Sequence, residues 1–318
     1  MMRVAILDDY QGVALSLADW QSLHPRAQMQ AFADHLDGLE ALAHRLHVFD
    51  GIVAMRERTP FPRALFERLP NLRLLVTAGM RNAAIDLAAA SERKVQVCGT
   101  DMLPYPTAEL TWGLILALAR HIPREDRALR EGRWQTSLGI GLKGKTLGLL
   151  GLGRLGGQVA RIGNAFGMET IAWSQNLTAA RAAEAGATAV SKEELFARAD
   201  IVSVHVVLSP RSRGLVAAAE LAQMKPTAFL VNTSRGPIVD APALLAALRE
   251  RRIAGAGLDV FEPEPLARGH PLLALDNVVL TPHLGYVTEE GYRLAYGHAV
   301  EDIRAFLEGT VLRPLNRI

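Results

Sequence analysis

A chain of 318 residues is longer than one hydrophobic core usually serves, so two domains are expected. With 49% hydrophobic and 21% charged residues, a net charge of +2 and no arginine-rich run, the composition excludes a disordered chain and argues against a nucleic-acid partner. The single cysteine, Cys98, cannot form an internal disulfide and fits the cytoplasm, and the longest apolar run, LTWGLILALA at 110–119, is too short to span a membrane.

The opening MMRVAILDDY turns acidic too soon for a secretory signal and reads as a first strand. Apolar runs then alternate with amphipathic segments: RVAILD and a helix to Trp20, QMQAFA and a helix to His47, GIVAM and a helix to Leu69, LRLLVTA and a helix to Ser91. Such alternation predicts a parallel sheet with helices on both faces, whose ligands gather beyond the carboxyl ends of the strands. That rule places MRERTP (55–60) and TAGMRN (77–82) at a mouth. CGTDMLPYP breaks the pattern, TAELTWGLILALARHI reads as one long helix, and the polar, glycine-rich REGRWQTSLGIGLKG reads as an irregular arm in which Trp134 is an interface or hinge contact.

A second alternation follows, with strands TLGLL, ETIAW, ATAV, DIVSVHV, AFLVN, AGAGLDV and NVVLT and a closing amphipathic helix at about 289–308. The expected fold class is α/β, two domains each built on a doubly wound parallel sheet, with the closing helix placed beyond the last strand where it can return to the first domain. A cleft is expected between them, with hinges near 100–107 and 284–290.

The chemistry begins at TLGLL-GLGRLG. Gly151, Gly153 and Gly156 have the spacing of a dinucleotide turn, with a buried strand before and an apolar-periodic helix after. Three further strands lead into polar landmarks: AFLVN into Arg235, AGAGLDV into Asp259 and Glu264, NVVLT into His283. In a parallel sheet these loops share one edge with the glycine turn. Arginine, carboxylate and imidazole together suit hydride transfer between a nicotinamide and a 2-keto or 2-hydroxy acid. Arg235 offers a planar fork to the substrate carboxylate and keto oxygen, His283 exchanges the proton, and Glu264 orients the ring. No metal is called for, since neither H-E-x-x-H nor C-x-x-C occurs.

The blocks GKTLGLLGLGRLG, NTSRGPIVD, GAGLDVFEPEPL and NVVLTPHLG, in that order, resemble the D-isomer-specific 2-hydroxyacid dehydrogenase family, which includes D-glycerate, D-lactate and D-3-phosphoglycerate dehydrogenases. The resemblance runs over nearly the whole chain. It implies Arg235 as substrate anchor, Glu264 and His283 as acid–base pair, and backbone N–H groups of Gly79, Met80 and Arg81 holding the substrate carboxylate. The implied cofactor set is Gly151, Gly153, Arg154, Leu155, Gly156, Ser174, His205, Thr233, Asp259 and Gly285, with Asp259 near the nicotinamide carboxamide. It also implies a doubly wound, parallel-sheet Rossmann cofactor domain over 101–283, a smaller flavodoxin-like α/β substrate domain from 1–100 and 284–318, and a homodimer through the cofactor domains.

Departures from the family pattern are informative. The strand after the glycine turn ends in Ser174, Gln175 and Asn176, where NAD-binding relatives carry an acidic residue, so the cofactor is NAD or NADP with a slight lean to NADP. His205 is followed by Val206 and Val207, not by the family's proline two residues on. Arg81 stands where glycine is common and, with Arg56, is a candidate for contacting a second anionic group on the substrate. Two other function classes fit the same fold: a non-catalytic NAD(H)-sensing protein of the corepressor type, and a phosphite-type dehydrogenase.

Overall fold

The computed structural model describes all 318 residues, which form two compact units, Met1–Leu103 with Val287–Ile318, and Pro104–Tyr286. No helix is long and apolar enough to cross a membrane.

The first unit is a five-stranded, all-parallel sheet of β1 (Met2–Ile6), β2 (Ala27–Ala31), β3 (Gly51–Ala54), β4 (Leu74–Thr77) and β5 (Gln96–Gly99), in the order β2-β1-β3-β4-β5. That is the flavodoxin-like order, with the chain reversing direction across the sheet between β1 and β3. β3, β4 and β5 are buried along their whole length, as expected of strands covered on both faces. The closing helix Glu289–Leu307 starts at Thr288, whose hydroxyl accepts Gly291 N–H, and buries Tyr292, Tyr296 and Ile303 within this unit. The tail that follows lies along the outer edge of β5: Leu315 N–H donates to Val97 O at 2.8 Å and Gly99 N–H to Arg313 O at 3.0 Å. An edge strand is thereby paired instead of exposed.

Two expectations fail here. The helix expected up to Trp20 is absent; 14–16 and 20–23 are short 3₁₀ turns. Asp9 takes the N–H groups of Val13 and Ala14, and Asp19 takes that of Ser22, so polar side chains satisfy the backbone locally and stop a helix from propagating. The loop is pinned instead by Trp20, which donates to Ala14 O and meets Tyr296 edge-on. β5 was not expected at all, because QVCG is only four residues long and merges into a glycine- and proline-bearing break.

The second unit holds β6 (Thr146–Leu150), β7 (Glu169–Trp173), β8 (Thr188–Ala189), β9 (Ile201–Val204), β10 (Phe229–Asn232), β11 (Gly255–Leu258) and β12 (Val278–Leu280), all parallel, in the order β12-β11-β10-β9-β6-β7-β8. The direction of winding reverses between β6 and β9, which is where a doubly wound sheet opens a crevice. Register matters more than order. Leu150 pairs with Val204, Val204 with Asn232, Asn232 with Leu258, and Leu258 with Leu280. The next residue on each strand therefore falls in one row along the carboxyl edge: Gly151, His205, Thr233, Asp259 and Thr281. The long helix Pro106–Ala119 packs on this sheet, and the arm at 131–145 is irregular, with Trp134 76% exposed.

Candidate active site

The glycine turn is built as its spacing requires. β6 is buried throughout, and Gly151 leaves it with a left-handed φ of 102°, so close to the neighbouring strand end that a Cβ would stand 2.8 Å from the carbonyl carbon of His205. Gly156 is pressed against the carbonyl oxygen of Gly151. Gly153 caps the helix Arg154–Ala165 and differs from both, since a Cβ there would meet nothing within 4 Å. The first N–H groups of that 12-residue helix have no acceptor within the helix and no capping side chain, and Gly153 puts no side chain in front of them, a cradle suited to a pyrophosphate. An opposite response to substitution is expected at the two positions. Gly156→Ala should lower the melting temperature, at a cost of about 1–3 kcal/mol from overpacking. Gly153→Val should melt near wild type yet raise the KM for the nicotinamide cofactor at least about tenfold. Thermal denaturation and cofactor titration check both.

Flanking the turn, His205 N–H donates to Leu150 O at 2.8 Å, and its Nε2 lies 2.9 Å from Ser203 Oγ. Burial pushes its pKa down to about 4, so the ring is neutral at pH 7. Past β7, Ser174 is half-buried and turns the chain by accepting Leu177 N–H, while Gln175 and Asn176 are exposed. No carboxylate stands at this strand end, and Arg181 is exposed on the short helix after it.

At the other end of the row, Asp259 organises the loop beyond β12. It is fully buried, and its Oδ1 accepts Thr281 Oγ1 (2.6 Å) and Leu284 N–H (2.7 Å) while Oδ2 accepts Gly285 N–H (2.9 Å). Burial pushes this carboxyl above the usual carboxylate range, opposed by those donors and by the nearby His283. Its backbone carbonyl takes His283 N–H at 2.8 Å, which fixes His283 in a left-handed conformation with φ 54°. The side chain then meets Glu264: Nδ1 lies 2.6 Å from Oε2, and Oε1 of the same carboxylate accepts Phe261 N–H at 2.8 Å. Tyr286 stands edge-on to the imidazole, ring centres 5.5 Å apart.

Arg235 lies three residues past the end of β10. Asn232 Nδ2 donates to its carbonyl at 3.0 Å, and its own Nη1 donates to Ser234 O at 2.8 Å. The next residue, Gly236, abuts the backbone of Phe261, where a Cβ would be only 2.8 Å from Phe261 Cα. The Arg235 loop and the Phe261–Glu264 loop are therefore in direct contact. Two residues that sequence reasoning passed over tie the row together. Thr107 Oγ1 donates to Gly285 O at 2.8 Å; Thr111 Oγ1 donates to Thr107 O at 2.7 Å, so the 2.8 Å contact between Thr111 and Thr233 has Thr233 as donor. Their only sequence signal was two threonines four apart at the head of a helix.

The first unit carries its own loop past β4. Gly79 has φ 96°, donates its N–H to Thr100 Oγ1 at 3.1 Å, and has the Arg56 guanidinium packed against it. Met80 and Arg81 are exposed, and Arg56 is half-buried with Glu57 Oε2 at 3.6 Å from its Nε.

Residues 112–285 match the model of the NAD-binding domain of D-isomer specific 2-hydroxyacid dehydrogenases. The chain belongs to that family. It is 43% identical over 257 residues to the glyoxylate reductase of Aeropyrum pernix, covering 78% of this chain and 77% of that one. It is 40% identical over 262 residues to the D-3-phosphoglycerate dehydrogenase of Methanocaldococcus jannaschii, covering 81% of this chain but only 50% of that longer protein. The crystal structure of phosphoglycerate oxidoreductase from Vibrio cholerae matches with a TM-score of 0.93 and 38% identity over 98% of this chain and 100% of that one. This dehydrogenase is an oxidoreductase that transfers hydride between NAD(H) or NADP(H) and a 2-keto or D-2-hydroxy acid. Neither the sensing protein nor the phosphite dehydrogenase is favoured.

Proposed function

We propose that the dehydrogenase reduces a small 2-keto acid of the glyoxylate or hydroxypyruvate type to the hydroxy acid, with Arg235 as substrate anchor and His283 and Glu264 as acid–base pair. The observation that carries this reading is the 2.6 Å contact between His283 Nδ1 and Glu264 Oε2 on the strand edge that also bears the glycine turn. A carboxylate on Nδ1 holds the proton there, so Nε2 is the nitrogen that gives a proton to the substrate oxygen on reduction and takes it back on oxidation. Arg235 puts a fixed positive fork on the carboxylate and on the oxygen where charge develops. The bound nicotinamide supplies the hydride. Gly151, Gly153, Arg154, Leu155 and Gly156 would hold its pyrophosphate, with Ser174, His205, Thr233, Asp259 and Gly285 lining the rest.

Asp259 serves the loop in this reading: its oxygens are already taken by Thr281, Leu284 and Gly285, which suits a part in shaping the nicotinamide site. The backbone N–H groups of Gly79, Met80 and Arg81 take the substrate carboxylate, with the first unit, Met1–Leu103 and Val287–Ile318, as the substrate domain. Relatives named glyoxylate reductase and the hydroxypyruvate reductase of Blautia hydrogenotrophica, 28% identical over 99% of this chain, support the substrate class. Ser174, Gln175 and Asn176 support the lean to NADP, because nothing there repels a 2′-phosphate. A cytoplasmic homodimer is the expected setting, the exposed Ile122, Leu129 and Trp134 of the cofactor unit, which line one surface hollow, offering apolar groups to a second copy.

A panel of glyoxylate, hydroxypyruvate, pyruvate and oxaloacetate, each with NADH and NADPH, tests the reading by loss of the reduced-nicotinamide absorbance, with light scattering on the same preparation for the dimer. Glyoxylate or hydroxypyruvate with NADPH is expected to give the highest kcat/KM. No turnover of any 2-keto acid with either cofactor would sink the assignment.

A further inference from the structure

A second polar network lies at the carboxyl edge of the first unit's sheet, and its centre is Asp8, two residues past β1. This carboxylate is 2% exposed on a backbone with a left-handed φ of 56°. Its Oδ2 accepts Thr59 Oγ1 at 2.7 Å, its Oδ1 lies 2.8 Å from His35 Nδ1, and its carbonyl accepts Arg58 Nη1 at 2.8 Å. Arg58 also reaches the Tyr292 hydroxyl at 3.2 Å and covers the Tyr10 ring at 4.6 Å. Burying a carboxylate is costly unless its partners are well placed, and a left-handed non-glycine residue adds strain. Such expense marks a position whose geometry has to be held.

What Asp8 holds is the loop after β3. Thr59 and Arg58 belong to it, and so does Arg56, a second left-handed residue with φ 53°. The carbonyl of Arg56 accepts Asn82 Nδ2 at 2.7 Å, and its guanidinium lies where a methyl on Gly79 would have to go. Asn82, buried, donates also to Thr77 Oγ1 at 2.8 Å and accepts Ala84 N–H at 2.9 Å. The Gly79–Arg81 backbone is thus set on one side by Thr100 and on the other by the Arg56 loop, which is itself tied to the end of β1 through Asp8.

We infer that Asp8 is a positioning residue for the reduction: through Thr59 and Arg58 it sets the Arg56–Thr59 loop, and that loop sets the N–H donors of Gly79–Arg81; this rests on the reading of those donors as the substrate-carboxylate site. A carboxylate that does not react is bound alike before and in the transition state, so a disordered donor row raises KM and leaves kcat nearly alone. Cofactor binding does not change, because Asp8 and its partners belong to the unit without the glycine turn.

The test is steady-state reduction of glyoxylate and of hydroxypyruvate by wild type, Asp8→Ala, Asp8→Asn, Thr59→Val and Gly79→Ala, with thermal melts of each. Asp8→Ala is expected to raise the keto-acid KM about tenfold and Thr59→Val about threefold, with kcat and the cofactor KM within about twofold. Asp8→Asn, which keeps an oxygen for Thr59, should fall between wild type and Asp8→Ala. If Asp8→Ala fails to fold, Thr59→Val decides. Gly79→Ala raising KM while Asp8→Ala and Thr59→Val do not overturns the inference alone. Gly79→Ala without effect overturns the reading of the loop and the inference with it. A parallel rise in cofactor KM in the Asp8 variants also overturns it, as general destabilisation.

Discussion

Replacing His283 by asparagine is expected to lower kcat for 2-keto acid reduction by about 10²- to 10⁴-fold, the range of one well-placed general acid, with little change in either KM. Asparagine is the informative choice because His283 sits at φ 54°, a conformation asparagine tolerates better than most residues, so the loop fixed by Asp259 should keep its path. The amide can occupy the space and reach Glu264, but it cannot give up a proton as hydride arrives. Glu264→Gln should fall in the same direction by less. Its one remaining oxygen must choose between Phe261 N–H and His283 Nδ1–H, which Oε1 and Oε2 serve separately in the native carboxylate, so part of the population would present the wrong tautomer. Steady-state rates on both variants, with melts to show that they fold, check this. A kcat for His283→Asn within about threefold of wild type would remove His283 from the chemistry.

Much of the second unit was legible because its strands are short, largely apolar runs, with β6, β9, β10 and β11 buried along their whole length, and such runs announce themselves whatever the helices between them do. Even the two-residue β8 fell inside ATAV. Two of the motif glycines are forced by the fold, Gly151 by its left-handed φ and Gly156 by the Gly151 carbonyl, whereas Gly153 touches nothing and was readable only from the spacing of the motif. What was not legible depends on contacts between segments distant in sequence. β5 is a strand because β4 flanks it on one side and the tail at 313–316 on the other, and four residues carry no period of their own. The 10–23 loop escaped because Asp9 and Asp19 outcompete the helix. Asp259 was identified as a site residue, yet its work of folding the Thr281–Gly285 loop could not be seen until the register placed it one step past β11, beside Thr281 one step past β12. Thr107 and Thr111 stayed invisible because their partners, Gly285 and Thr233, lie more than a hundred positions away.

Arg235→Lys is expected to keep the fold and lose most of the specificity constant. Removing one member of a hydrogen-bonded charge pair in a site costs about 2–5 kcal/mol, roughly 30- to 4000-fold in kcat/KM, and lysine keeps the charge but not the fork. The loss should appear in both terms: KM rises because the substrate carboxylate loses a bidentate partner, and kcat falls because the oxygen that gains charge loses a donor aimed at it. The backbone at this point is held independently of the side chain's chemistry, by Asn232 Nδ2 on the Arg235 carbonyl and by Gly236 against Phe261, so the substitution should leave the loop in place. That separates anchor from strut. If Arg235 acts only by structure, through its Nη1 bond to Ser234 O, lysine would lower the melting temperature and leave kcat/KM within about threefold of wild type. If it is the substrate anchor, the melt stays near wild type and the cofactor KM is untouched. Added guanidinium ion should then return part of the activity to Arg235→Ala, since a free planar cation can take the vacated place and a lysine ammonium cannot.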